Sequence, residues 1–176
     1  RLVYKRVYDR QKMVNDYLYS MPIEAHGGKV YSDMCLDSGV SLLNSGISLG
    51  IFPEGAYLPG DNIYRGRTGA SRLLFGAMDK GIDVNLIPVG IDISGDYDLD
   101  SYCFDDRMVS VNILPSVDCD YWYDMFNECN SFSDRNSALH GPIDICMRNI
   151  SDALNRPYVN EYIELYPKGN VIFSSG

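Results

Sequence analysis

Positive charge is scarce in this chain of 176 residues: 15 Lys and Arg stand against 24 Asp and Glu, a net charge of −9. That balance excludes sequence-independent binding to a phosphate backbone, so nucleic acid is not an expected partner. Long apolar runs are lacking too. The longest, 49–53 and 86–91, are strand-sized and far short of the about 20 residues that span a bilayer. Paired cysteine motifs are missing: Cys35, Cys103, Cys119, Cys129 and Cys146 are odd in number and form no CxxC, which predicts free thiols in a reducing cytosol rather than a disulfide framework. The acidic run of Asp92, Asp96, Asp98, Asp100, Asp105 and Asp106 lacks the calcium-loop spacing with its closing Glu and reads as a solvated loop, so no metal site is expected. There is no internal repeat. The chain opens on Arg1 in the middle of an amphipathic pattern, which predicts an N-terminally truncated piece of a longer protein.

What is present is an ordinary globular composition, with 45% hydrophobic and 22% charged residues. The length fits a single domain over 1–176. Leu2, Val3, Val7, Val14 and Leu18 recur at loose helical spacing, and Pro22 ends that pattern. After the turn at His26-Gly27-Gly28, Ser32 is placed to cap a helix bearing Leu36, Val40 and Leu43, with Gly46 at its C′ position. Residues 47–52 read as a strand broken by Pro53, and a Gly- and Pro-containing loop follows over 55–66. Thr68 is placed to cap a second helix with Leu73, Leu74, Ala77 and Met78 inward and Gly81 as its stop; 84–91 reads as a second strand. Residues 108–114 alternate as a further strand, 118–137 show no clear period, and 142–154 suggest a last helix ending near Pro157.

Helix, strand, loop, helix, strand is the order of α/β crossovers. The near-continuous apolar character of both strands predicts central positions in a largely parallel sheet flanked by helices. In such sheets ligands bind beyond the carboxyl ends of strands. Glu54, directly after the strand in Phe52-Pro53-Glu54-Gly55, is a site candidate by position; the other reading is a turn carboxylate that accepts from the following backbone.

Phe52-Pro53-Glu54-Gly55 resembles the signature of the glycerolipid acyltransferase family, the lysophosphatidic acid and glycerol-phosphate acyltransferases. Upstream, Met21-Pro22-Ile23-Glu24 resembles the family's Ile-Pro-Val-Asp block. Downstream, Arg67-Thr68-Gly69-Ala70 is similar to its Lys-x-Gly-Ala segment, and Leu86-Ile87-Pro88-Val89-Gly90-Ile91 to its Pro-bearing buried strand. The four blocks keep the family's order over about residues 15–115, leaving 116–176 as a C-terminal extension.

The resemblance implies transfer of a fatty acyl group from acyl-CoA or acyl-carrier protein to a hydroxyl of a lysophospholipid or glycerol-phosphate acceptor, in phospholipid biosynthesis. It implies no bound cofactor and no metal, and a place at the cytoplasmic face of the membrane. Family members use a His-x4-Asp motif as general base ahead of the Pro-Ile block, so the resemblance puts that motif upstream of Arg1 and leaves this stretch without a catalytic residue of its own. His26 reads as a turn residue and His140 as a loop residue before Pro142; Asp144 is four residues beyond His140 where the motif needs five.

By the same resemblance Phe52, Pro53, Glu54, Gly55, Tyr57, Arg67 and Pro88 would line the substrate site. Arg67 would face the acceptor phosphate, or else be a solvated residue at a helix start; Pro88 would end or kink its strand beside the acyl channel. Ala25 and Tyr57 stand where family members carry phosphate-holding arginines, leaving Arg65, Arg67 and Lys29 as local substitutes. The alternatives are a non-catalytic lipid-binding homologue and an acyltransferase with a phosphate-free acceptor.

Overall fold

The structure is a computed structural model that describes residues 28–54, 61–94 and 108–162. The pattern at 2–18, the acidic run over 95–106, Ala25, His26, Gly55, Tyr57 and Cys103 lie outside the described residues. The chain divides into two compact units, 1–48 and 49–176.

In the first unit, α1 (Gly28–Asn44) starts four residues ahead of the expected Ser32 cap. Nothing between Gly28 and Ser32 breaks a helix, and a glycine costs least at the very first turn. Val40 is buried and Leu36 and Leu43 are half-buried, as their shared spacing requires. The helix stops as expected. Gly46 has φ +77°; its amide donates to Leu43 O and that of Ile47 to Leu42 O, which satisfies two carbonyls at the helix end.

The second unit contains β1 (Ile63–Tyr64), α2 (Gly69–Met78), β2 (Val89–Ser94), β3 (Met108–Ile113), α3 (Asp120–Glu128), α4 (Phe132–Leu154) and β4 (Tyr158–Val159). It is a mixed α/β arrangement with one parallel pair, β1 with β4, and one antiparallel ladder, β2 with β3. The expected large parallel sheet is not seen among the described residues. The expected strand over 47–52 is corrected: those residues lie in no strand, and Phe52 is 78% exposed. An apolar run becomes a strand only when a neighbour takes its amides and carbonyls, and no described segment pairs with this one. The strand expected over 84–91 is displaced, since the ladder runs from Val89 to Ser94, preceded by a single bridge between Leu86 and Val117.

The expected strand over 108–114 is found as β3, but its alternation does not bury one side. Val89 pairs with Ile113 and Ile91 with Val111, and all four aliphatic side chains are exposed. The other side of β2 meets the end of α4, where Gly90 lies against Leu154 and Asp92 is ion-paired with Arg156.

The period missed over 118–137 holds α3 and the first turn of α4. Ser131 caps α4, its hydroxyl accepting from the Asp134 amide at 3.0 Å. Pro142 lies inside this 23-residue helix rather than opening it. Proline removes one amide and strains the preceding turn. Here Pro142 and Ile143 are among the largest fully buried side chains, so burial offsets that loss. The helix ends at Asn155, whose φ is 51°.

α4 is the element on which the others pack. Ile143 and Met147 form one cluster with Ile63 and Ala70. Leu139 joins Leu74, Phe75 and Cys119 in the other, with Trp122, Tyr123 and Phe126 from α3 against it. Two glycines make the approach possible. A Cβ on Gly141 would lie 2.4 Å from the Trp122 ring, and one on Gly66 would lie 2.4 Å from Ile143 Cγ2 and 2.9 Å from Pro53 Cβ. Gly66→Ala should therefore destabilise the protein by about 1–3 kcal/mol through overpacking, read as a fall in the denaturant midpoint. An alanine at Gly69, where an added Cβ meets nothing within 4 Å, should leave the midpoint within about 0.5 kcal/mol of wild type.

Candidate functional site

The signature turn and the basic segment that follows it are laced together. One oxygen of the Glu54 carboxylate accepts from the Tyr64 amide at 3.0 Å, and the Pro53 carbonyl accepts from the Arg67 amide at 2.8 Å. With Pro53 seated over Gly66, the two ends of the intervening loop are held side by side. Pro53, Glu54 and Arg67 thus come together as sequence candidates. Phe52 is exposed beside them; Pro88 is buried just ahead of β2, with its carbonyl accepting from the Leu114 amide, and the bonds joining the other three do not reach it. Glu54 does make the turn contact of the plainer reading, yet that contact uses only one of its oxygens.

The two arginines of this segment have different fates. Arg65 Nε and Nη2 reach Asp144 Oδ1 and Oδ2 at 3.1 and 2.9 Å, a two-point pairing between β1 and α4. That bond to Asp144 holds the Arg65 guanidinium above its ordinary range against the effect of burial. Tyr158 also donates to Asp144, at 3.3 Å. Arg67 is exposed and has no carboxylate partner among the described residues. Its guanidinium sits 6.0 Å from the centre of the Tyr162 ring, whose other cationic neighbour is Arg65 at 5.3 Å. The local geometry therefore commits one guanidinium to the protein and leaves the other facing solvent beside an aromatic ring. Lys29 belongs to the first turn of α1, in the other unit.

His140 is not a loop residue. It is buried in α4, with the Tyr162 hydroxyl 3.0 Å from Nε2. Burial lowers its affinity for a proton, the Arg65 and Arg72 charges add to that, and Asp144 opposes it. Asp144 lies one helical turn on, but its oxygens serve Arg65 and Tyr158. Buried and without an orienting carboxylate of its own, His140 is poorly placed for a general base.

The cluster of His140, Asp144, Tyr158 and Tyr162 around Arg65 escaped the sequence reading, although a His and an Asp at i and i+4 share a helix face. Seeing them so required placing the helix start at Ser131 rather than at Pro142. Cys35, Cys119, Cys129 and Cys146 are free. Burial pushes the Cys119 thiol up to about 11, with Asp118 and Asp120 adding to it, and the Cys146 thiol up to about 12. Neither is a nucleophile near neutral pH. Among the described residues no group of His, Cys, Asp and Glu could hold a metal ion, and no helix is long and apolar enough to cross a membrane.

A histidine harder to protonate when folded makes stability depend on pH in one direction. As pH falls through about 6.5 the unfolded chain takes up a proton that the folded chain still refuses, so stability is lost on the acid side. Unfolding midpoints compared at about pH 7.5 and 5.5, on either side of the ordinary histidine value, should fall with pH. That fall should be smaller in His140→Gln. An equal fall in both proteins would assign the effect to other groups.

No family model, curated protein or solved structure matches this chain.

Proposed function

We propose that this chain is part of a glycerolipid-type acyltransferase domain. It would move a fatty acyl group from an acyl-CoA or acyl-carrier-protein thioester to a hydroxyl of a lysophospholipid or glycerol-phosphate acceptor in phospholipid biosynthesis. The observation that carries this reading is the lacing of the signature turn to the basic segment. Two blocks singled out separately in the sequence meet: the Glu54 carboxylate takes the Tyr64 amide and the Pro53 carbonyl takes the amide of Arg67, whose guanidinium has no carboxylate partner among the described residues. The finer architecture, a largely parallel sheet flanked by helices, belongs to this proposal.

In the proposed reaction, the histidine of a His-x4-Asp motif, which the resemblance puts ahead of Arg1, removes the acceptor's hydroxyl proton. The resulting oxygen attacks the thioester carbonyl, and the thiol leaves with the proton. Such a base contributes about 10²–10⁴-fold. The role of this chain is to hold the acceptor. Arg67 would take the phosphate through charge-assisted bonds, and the second Glu54 oxygen would accept from an acceptor hydroxyl. Gly55, Tyr57, Phe52 and Pro53 would shape the same edge, with Pro88 beside the acyl chain. No bound cofactor or metal has a part in it. The reaction's substrates put it at the cytoplasmic membrane face. One observation favours a non-catalytic lipid-binding homologue instead: His140 is buried and bonded to Tyr162, so it cannot replace a missing base.

The test uses a protein that includes the His-x4-Asp block, supplied with an acyl thioester and lysophosphatidic acid. Formation of the diacyl product, abolished by replacing that histidine, is the expected result; binding of acceptor without turnover would favour the lipid-binding homologue. Arg67→Gln should raise the acceptor KM roughly tenfold or more, since a hydrogen bond to a charged group contributes about 1.5–3 kcal/mol. An unchanged KM would make Arg67 a solvated helix-start residue. Glu54→Gln retains an oxygen to accept the Tyr64 amide, so it should fold normally and still lose most turnover; full turnover would confine Glu54 to the turn.

A further inference from the structure

Phe132, the first residue of α4, is 88% exposed, the largest exposure among the described large hydrophobic residues. It stands on the rim of a shallow groove of about 280 Å³ whose remaining walls are Arg72, Phe126, Arg135, Asn136 and Leu139. The floor is apolar, with Leu139 buried and Phe126 half-buried, and both arginines are exposed. Neither guanidinium is paired with a carboxylate among the described residues, although acidic residues outnumber basic ones by nine in the chain. The nearest acid in sequence, Asp134, is engaged, its carboxylate accepting from the Ser131 hydroxyl at 2.7 Å.

Each arginine is held by its Nε. Arg72 donates to Thr68 Oγ1 at 3.4 Å and Arg135 to the Cys129 carbonyl at 2.9 Å, the latter guanidinium also lying 5.7 Å over the Phe126 ring. With each side chain anchored at Nε, its terminal N–H groups meet no acceptor among the described residues and are open to one from outside.

Those features select among occupants. A pocket for a soluble small molecule buries about 70–90% of its ligand, which an open groove of this size does not. An exposed phenyl ring lining one groove with two phosphate-competent cations has the composition of a water–bilayer boundary, where aromatic rings enter the headgroup region and arginine meets lipid phosphate. The geometry points to a peripheral lipid contact: the groove seats the phosphate of an anionic lipid headgroup between Arg72 and Arg135, and Phe132 enters the acyl layer. The contact uses neither Glu54 nor Arg67 and lies mostly in the C-terminal extension. It therefore goes beyond the acyl-transfer proposal and stands or falls apart from it.

The experiment is co-sedimentation of the chain with vesicles of phosphatidylcholine alone and of phosphatidylcholine mixed equally with phosphatidylglycerol. Wild type should pellet with the mixed vesicles and not with phosphatidylcholine, and added salt should release it. Arg72→Gln and Arg135→Gln should each weaken association by roughly fivefold. Phe132→Ser should weaken it as well, and Phe132→Trp should restore it. All three positions are exposed, and circular dichroism confirms that each variant is folded. The exposed β2–β3 ladder supplies the control, because Ile113→Ser should leave pelleting unchanged. Equal pelleting with both vesicle types, pelleting that survives the double arginine substitution, or loss with Ile113→Ser alone would each overturn the proposal. Because the readout is pelleting and not turnover, failure here leaves the acyl-transfer reading to its own assay.

Discussion

The packing of the second unit depends on one constraint, the continuity of α4 through Gly141 and Pro142. If the chain turned at that proline, Leu139 and Ile143 would no longer lie on one rod, and the two core clusters they join would lose their common wall. Gly141 admits the Trp122 ring to the helix surface, while Ile143, one residue past the proline, presses on Gly66. Helix propensity opposes this course at both residues. Burial carries it, so tertiary packing and not local preference sets the path of the chain.

The same helix distributes charge. Asp144 takes Arg65 in a two-point bond, and this half-buried pair ties β1 to α4. An isolated guanidinium in that place would be costly, and an isolated carboxylate equally so. Two residues further along the basic segment, Arg67 has no such counterpart among the described residues. The alternation of a satisfied and an unsatisfied cation follows from geometry: β1 directs Arg65 towards α4, and the chain leaves the strand before Arg67.

Local signals that act within a few residues were legible in the sequence. Gly46 and Gly81 both terminate helices with positive φ, as their positions after apolar spacing foretold. The inward face of α2 is largely right, since Leu74 and Ala77 are buried, although Thr68 makes no capping bond. Features that depend on partners distant in the chain were not legible. The apolar run over 47–52 looks like a central strand, but a strand is defined by its neighbour. Pro142 looks like a helix start because the packing that holds the helix straight past it joins Ile143 and Met147 to Ile63 and Ala70, far away in the chain. Of the site, the carboxylate and Arg67 could be named from the order of motifs. The ring of His140, Asp144, Tyr158 and Tyr162 could not, because it joins two helical positions to a terminal strand and the turn beyond it.

The lacing of Pro53 and Glu54 to Tyr64 and Arg67 also bears on how such a surface can diversify. Once the two ends of a loop are clamped by backbone bonds, the entropy of closing it grows only with the logarithm of its length, about 0.6 kcal/mol for each doubling. Residues between Glu54 and Ile63 can then be inserted, deleted or exchanged at little cost to the buried Ile63 and its cluster, and variation concentrates where binding residues are usually found. Gly66 fixes the anchorage, and the sequence between Glu54 and Ile63 is open to drift. Chains sharing this clamp would be expected to differ most in the length and composition of that span while keeping the small residue under it.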